Sequence, residues 1–333
     1  MSEKIAVIGA GSWGTTLAIL LADKGYDITL WVYEPDLVSE IETRRENSLF
    51  LPGVLIPRNV KPTHSLDDAV RGKEVIVSVV PSHAARRITL QYRDHLSKGV
   101  HLVSATKGLE EESLLRISQV IQQSVPSHLE IKISCLSGPS FASEVSRKMA
   151  TAVAVACEDK QEAIYFQHLF SSSYFRVYRN NDLVGVELAG ALKNVIAIAA
   201  GVSDGLGFGY NARAALITRG LVEITRLGLA MGARQETFYG LAGVGDLILT
   251  CTADLSRNRT LGLRLGHGEK LPRILDSMKM VAEGVVTSRA AIRLARKFQV
   301  EMPIAEQVYG ILFEERNPLN AFSELMSRTL KYE

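Results

Sequence analysis

The sequence predicts an α/β chain in two parts, a doubly wound domain over residues 1–181 and an all-helical domain over residues 182–333. Three observations carry that prediction. Up to about Asn181, short β-branched runs alternate with amphipathic helical stretches, the pattern of a sheet connected by crossover helices. Runs such as VIVSVV at 75–80 are apolar on both faces, as strands are when helices cover both sides of a parallel sheet. Beyond Asn181 the strand signals stop and helical periods take over. Length agrees, because 333 residues exceed what one ordinary core holds.

The first strand, 5–8, runs into Gly9-Ala10-Gly11-Ser12-Trp13-Gly14 and then a helical stretch at 13–24. Three glycines at this spacing let the chain turn sharply, bring backbone close to a pyrophosphate and pack the helix against the strand. The positive helix end then faces the phosphates. Inside a βαβ unit this pattern predicts a dinucleotide site of Rossmann type. A second strand at 28–32 leads to Tyr33-Glu34 and a helix at 35–45. Further strands are expected at 60–63, 75–80, 101–105, 131–136, 152–156 and 174–178, with helices at 82–96, 113–124 and 160–171. The second half reads as helices at 184–200, 212–231, 258–265, 288–297, 304–313 and 319–330. Glycine-rich breaks separate several of them, notably at 203–210 and 240–245.

Composition narrows the function classes. Apolar content is 47%, charged content 22% and net charge +2, which fits a globular chain with no broad basic surface for nucleic acid. Cys135, Cys157 and Cys251 are few and far apart, which suits a reducing cytoplasm and argues against a disulfide framework or a metal cluster. Lys4 and the apolar residues after it look superficially like a signal peptide, but the glycine turn and Asp23-Lys24 break any such segment. The apolar stretch 184–202 contains Glu187, Lys193 and Asn194, so it reads as a buried helix rather than a membrane span.

Three strand ends look like ligand loops. Val80-Pro81-Ser82-His83 ends one, with Ser82 as a candidate cap for the next helix. Ala105-Thr106-Lys107-Gly108 places an ammonium at another, though a surface lysine at a turn is an equal reading. Ser137-Gly138-Pro139-Ser140-Phe141-Ala142 ends a third, where backbone N–H groups at a helix start suit an anion. In the helical half, Lys193 sits on a face made by Val186, Ala189, Gly190, Ile196, Ala197 and Ala200. Burial lowers a lysine's pKa, and such a group passes a proton to or from a reacting oxygen. Snorkelling or a structural ion pair is the alternative. Asp246, after Gly243-Val244-Gly245, either caps the next helix or faces Lys193; spacing leaves both open. Ser256-Arg257-Asn258-Arg259 opens a helix, with Ser256 as its expected cap and two arginines in a first turn where the macrodipole prefers anions. An external phosphate removes that mismatch; an ion pair with Asp254 is the plainer explanation. The segment 203–211, SDGLGFGYN, is either a mobile lid or a close-packed turn.

Together, GAGSWG, VPSH, ATKGLE, SGPSFA, KNVIAIAAGVSDGLGFGYNARAALITRG, GLAGVGDLILTCT and SRNR resemble the NAD(P)-dependent glycerol-3-phosphate dehydrogenase family of bacterial type, from about residue 4 to about residue 315. The resemblance implies a 6-phosphogluconate-dehydrogenase-like plan. It also implies interconversion of dihydroxyacetone phosphate and sn-glycerol 3-phosphate for phospholipid synthesis, with NAD or NADP as cofactor and no metal. By that resemblance Lys193 is the proton donor and acceptor, with Asp246 beside it. Lys107, Gly138, Ser140, Lys193, Asp246, Ser256, Arg257 and Asn258 bind the phosphorylated triose. Ser12, Trp13, Tyr33, Lys107, Ala142, Arg257, Val281 and Glu283 join Gly9, Gly11 and Gly14 in contacting the cofactor; Val281 and Glu283 rest on resemblance alone. A cytoplasmic homodimer is expected, with substrate held in a cleft. Other dehydrogenases of the 6-phosphogluconate or hydroxyacid type, or a non-catalytic dinucleotide sensor, are the competing readings.

One departure from the family bears on cofactor choice. Where a basic residue often engages the 2′-phosphate of NADP, this chain has Tyr33, and Glu34 follows it. An acidic residue about twenty positions past Gly14 suits the ribose hydroxyl of NAD. Both cofactors are therefore expected to work, with weak discrimination.

Overall fold

The computed structural model describes residues 3–278, 282–330 and 332. It divides into two compact units, Met1–Lys107 with Leu115–Glu187, and Gly108–Leu114 with Leu188–Glu333. The excursion of Gly108–Leu114 into the second unit has a visible cause. Arg293 donates to the Glu111 carbonyl at 2.6 Å, and Arg289 pairs with the Glu111 carboxylate at 3.3 Å.

The first unit runs β1 (Lys4–Ile8), α1 (Ser12–Asp23), β2 (Asp27–Trp31), α2 (Pro35–Arg44), β3 (Val60–Thr63), α3 (Leu66–Val70) and β4 (Val75–Ser78). It continues through α4 (Ala85–Tyr92), β5 (His101–Ser104), α5 (Ile117–Ser124), β6 (Ile133–Ser137), α6 (Ala142–Val145), β7 (Thr151–Ala156), α7 (Lys160–Phe170) and β8 (Phe175–Asn180). These strands form one sheet in the order β3-β2-β1-β4-β5-β6-β7-β8. The order reverses between β1 and β4, and ligands of open α/β sheets bind beyond the strand ends at such a switch. Alternation explains why the strands are apolar throughout. Ile5 and Val7 enter one core cluster while Ala6 and Ile8 enter the other, and β4 repeats this with Val75 and Val77 against Ile76. Each fully buried leucine of α1, such as Leu17 or Leu21, contributes about 1.5–3 kcal/mol.

The sheet departs from an all-parallel one at β7, which pairs antiparallel to β6. Only the four-residue α6 lies between those strands, so no full crossover helix carries the chain back. Two helices begin later than expected. The stretch 82–96 opens as a 3₁₀ turn, Ser82–Ala84, and Ser82 is its first residue rather than a cap. The stretch 113–124 becomes helical only at Ile117, because Leu114 takes a positive φ of 62° and Gln119 accepts from the Arg116 N–H at 3.1 Å.

α8 (Leu183–Gly205) leads into the second unit. There follow α9 (Gly209–Ala230), α10 (Gln235–Phe238), a π-helical turn (Leu241–Gly245), α11 (Asp246–Thr252), α12 (Arg257–Gly266), α13 (Leu271–Ser277), α14 (Glu283–Lys297), α15 (Pro303–Phe313) and α16 (Pro318–Met326). α8 is long and apolar enough to cross a membrane, but 94% of that stretch is buried within the protein. The glycine-rich segment 203–211 is mostly helix: α8 continues to Gly205 and α9 starts at Gly209. Packing is the reason. A Cβ on Gly201 would sit 2.0 Å from the Arg259 carbonyl oxygen, and one on Gly205 2.4 Å from that of Leu263. Reciprocally, Gly262 and Gly266 would strike the Ile198 and Val202 carbonyls at 2.1 and 2.5 Å. Two glycine pairs, each spaced four apart, bring α8 and α12 into backbone contact. The Gly240–Gly245 break is likewise filled by the π turn, where Gly243 has room for no Cβ beside Phe238.

Candidate active site

The glycine turn at the end of β1 has the shape a pyrophosphate needs. Gly9 holds a φ of 115°, and a Cβ there would lie 2.9 Å from the Val79 carbonyl oxygen. A Cβ on Gly14 would collide with the Gly9 carbonyl at 1.8 Å, so α1 starts against the strand. Gly11, by contrast, faces open space and caps α1 with no side-chain hydrogen bond. Helix geometry leaves the first N–H groups of α1 without acceptors inside the helix, and no acidic residue stands in that turn. This cradle fits a dinucleotide phosphate. The Trp13 indole N–H, just beyond it, is buried without a partner among the described residues. Ser12 donates to the Phe50 carbonyl at 2.6 Å.

A buttress that sequence reasoning missed is Asn47, fully buried. Its amide donates to the Ala10 carbonyl at 2.8 Å and to Thr15 Oγ1 at 2.9 Å, while its oxygen accepts from the Phe50 N–H at 3.0 Å. Ala142, the first residue of α6, is brought to α1 by Thr16, whose hydroxyl donates to the Ala142 carbonyl at 3.3 Å. Tyr33 is exposed and sets its ring against Trp31, and Glu34 stands at the N-cap position of α2 without a side-chain cap hydrogen bond.

Lys107, Gly138 and Ser140 meet at one atom. The Lys107 ammonium donates to the Gly138 carbonyl at 2.8 Å and the Ser140 hydroxyl donates to it at 2.9 Å. Gly138 has a φ of 140°, and a Cβ there would press on Val153 Cα at 2.9 Å. Thr106 anchors the same loop by donating to the Val80 carbonyl at 2.7 Å.

In the second unit the two open readings of Asp246 are resolved. Asp246 is the first residue of α11, only 1% exposed, and its carboxylate takes the Lys193 ammonium at 2.5 Å. It is a partner rather than a cap. Lys193 is 6% exposed and also donates to Thr250 Oγ1 at 2.7 Å. Thr250 in turn donates to the Asp246 backbone carbonyl at 2.7 Å. An opposite charge at this range favours the ammonium form, against the neutral amine that burial alone favours. Cys251 lies next to the pair, and burial pushes its thiol up to about 12, so it stays protonated. Thr250 was not among the sequence candidates. The available signal was its place four residues after Asp246, which puts both on one helix face.

Asn194, beside Lys193, extends the site. Asn258 donates to the Asn194 side-chain oxygen at 2.9 Å and accepts from the Gly284 N–H at 3.0 Å. That places Asn258 at the start of α14, next to Glu283. Ser256 caps α12 as expected, accepting from the Arg259 N–H at 3.3 Å. Arg257 is exposed in the first turn of α12. Val281 lies outside the described residues. No group of His, Cys, Asp or Glu suited to a metal occurs among the described residues. The arrangement offers a buried ammonium for proton transfer, and beside it a helix start that presents an arginine.

Both halves of the chain match family models, described as the NAD-dependent glycerol-3-phosphate dehydrogenase N-terminus over residues 4–163 and the C-terminus over residues 182–323. A glycerol-3-phosphate dehydrogenase (NAD(P)+) of Geobacter sulfurreducens is 57% identical, the match covering 100% of this chain and 99% of the relative. One of Citrifermentans bemidjiense is 55% identical with the same coverage. Among solved structures, the glycerol-3-phosphate dehydrogenase of Coxiella burnetii superposes with a TM-score of 0.94 at 40% identity, covering 98% of this chain and 99% of that one. With both of its halves matched and relatives aligned along its whole length, the chain belongs to the NAD-dependent glycerol-3-phosphate dehydrogenase family.

Proposed function

We propose that the chain interconverts dihydroxyacetone phosphate and sn-glycerol 3-phosphate with NADH or NADPH, using Lys193 as the acid and base. The buried Lys193–Asp246 pair, 2.5 Å apart, is the observation that carries this reading. When bound, the reduced cofactor supplies the hydride that reaches the C2 carbonyl of the triose. Lys193 gives its proton to the C2 oxygen as negative charge develops there. Asp246 and Thr250 hold the ammonium so that it is aimed before the reaction, which stabilises the forming oxyanion without reorganisation. In the oxidative direction the neutral amine takes the proton back. Arg257 and Asn258, on a turn capped by Ser256, hold the phosphate and convert that remote binding into orientation of the ketone. Lys107, Gly138 and Ser140 form a second contact to the triose.

The glycine turn, with Ser12, Trp13, Tyr33, Ala142, Arg257 and Glu283, serves the cofactor. Glu34 disfavours a 2′-phosphate and Tyr33 offers no positive charge, so both cofactors are accepted with little preference. All three thiols are free and buried, which suits a reducing compartment. On that basis, and on the plan common to two-domain dehydrogenases, we read the protein as a cytoplasmic homodimer that contributes to phospholipid synthesis and acts on a small molecule rather than nucleic acid.

The test is an absorbance assay with dihydroxyacetone phosphate and each reduced cofactor. Lys193→Ala is expected to lower turnover by about 10²–10⁴-fold while cofactor affinity stays the same. Turnover near that of the unaltered enzyme would overturn the assignment.

A further inference from the structure

We infer that Asp204 is a positioning residue that sets selectivity for a phosphorylated over an unphosphorylated ketone, by fixing the helix turn that carries Arg257. This rests on the proposed phosphate role of Arg257.

Asp204 lies in the last turn of α8, inside the SDGLGFGYN segment that the reaction scheme leaves unused. Its side chain is 6% exposed and each carboxylate oxygen is taken by a different arginine. Oδ2 accepts from Arg259 Nε and Nη2, both at 2.8 Å. Oδ1 accepts from Arg213 Nε at 2.8 Å and Nη2 at 2.7 Å. Two planar forks on one carboxylate fix direction as well as distance. The Asp254 partner that sequence reasoning considered is also present, with Arg259 Nη1 at 2.7 Å, but Asp254 is 98% exposed. A pair so open to water holds little. The buried partner, Asp204, is the one that orients Arg259.

That orientation matters for what stands beside it. Arg257, Asn258 and Arg259 are the first three residues of α12. Two of them are tied to α8: Asn258 to Asn194, the neighbour of Lys193, and Arg259 to Asp204. The glycine crossing holds the two helices in backbone contact a turn further on. Arg259 is turned inward onto Asp204, whereas Arg257 stays exposed in the first turn of α12, where the dipole favours an anion. The turn is thereby held at a set distance from the ammonium that meets the ketone. A triose phosphate has its phosphate and carbonyl a fixed few bonds apart, so a turn that shifts by about 1 Å costs on the order of 10²-fold in reactivity. A ketone without phosphate does not use that turn and is indifferent to it.

The experiment compares kcat/KM for dihydroxyacetone phosphate with kcat/KM for dihydroxyacetone in Asp204→Asn, Asp204→Glu, Arg259→Lys and Arg257→Ala. Asp204→Asn and Arg259→Lys are expected to lower the ratio about 10- to 100-fold, with dihydroxyacetone reacting as before, and Asp204→Glu to recover part of it. A structural role alone would lower both substrates together or shift only Tm, leaving the ratio constant, and that result overturns the inference. Arg259→Lys keeps the charge and guards against a misfolded Asp204 variant. If Arg257→Ala lowers the ratio and the Asp204 and Arg259 variants do not, positioning by Asp204 is wrong and the phosphate site stands. An unchanged ratio in Arg257→Ala removes the phosphate reading itself.

Discussion

In the first unit the candidate site residues meet through backbone: Lys107 and Ser140 both donate to the Gly138 carbonyl, and the glycine turn leads into the N–H groups at the start of α1. In the second unit they meet through buried charged side chains, Lys193 with Asp246 and Arg259 with Asp204. Under the proposed function, the first arrangement serves holding and the Lys193–Asp246 pair serves the reacting proton. Backbone donors are fixed in charge and resist mutation, which suits a constant phosphate. A proton must come from a group that can lose it, and such a group is kept charged inside a protein only by a partner.

The largest effect that would break this contrast is in the buried pair. Asp246→Ala leaves the Lys193 ammonium without its carboxylate, and denaturant unfolding is expected to show a loss of about 3–5 kcal/mol. A loss under about 1 kcal/mol would mean the pair is far better hydrated than its burial indicates.

Glu223 sharpens the comparison, as a buried carboxylate held by backbone instead of a cation. It accepts from the Ile304 and Ala305 N–H groups at 2.8 and 3.3 Å at the start of α15, with Arg226 and Glu306 as the nearby charges. Burial pushes its carboxyl up from 4.5 to about 7, against the N–H groups that pull it down. The folded state therefore holds this proton more tightly than the unfolded chain. Its contribution is full below about pH 4.5 and declines as pH rises to about 7, by roughly 3 kcal/mol in all. Glu223→Gln is expected to flatten the fall in stability across that window. An unchanged slope would show that another group causes it.

Glycine substitutions sharpen the contrast between the units again. Gly14→Ala strikes a carbonyl at 1.8 Å and is expected to weaken cofactor binding measured by fluorescence titration, with unit-two stability untouched. Gly262→Ala strikes one at 2.1 Å and is expected to lower stability by about 1–3 kcal/mol through the α8–α12 crossing. Equal effects of both on cofactor affinity would contradict this division. The smallest effect is in cofactor choice. The unaltered enzyme is expected to use NADH and NADPH with kcat/KM values within about tenfold, and Glu34→Ala to shift the ratio a few-fold toward NADPH by removing one half-buried charge. A strong native preference for NADPH would show that Glu34 turns away from the ribose.

Legibility in the sequence followed range. The strands appear within a residue or two of where β-branched runs place them, since alternation is a local property. The glycine turn, the Lys107 and Gly138 loops and the Ser256 cap were all readable for the same reason. Asn47, Thr250 and Asn194 were not, nor was the antiparallel return of β7. Asn47 shows why: it braces the turn at Ala10 from 37 residues away, and an asparagine in a polar loop carries no mark of that.

By itself the chain's order of residues determined the two-part architecture, the cofactor turn and the presence of one lysine on an apolar helical face, because periodicity and φ requirements act over a few neighbours. Only the folded structure decided that Lys193 stands against Asp246, 53 residues on, and that the glycines of SDGLGFGYN complete a helix crossing instead of a loop. A charge pair and a backbone contact are set by distance in space, which packing alone supplies.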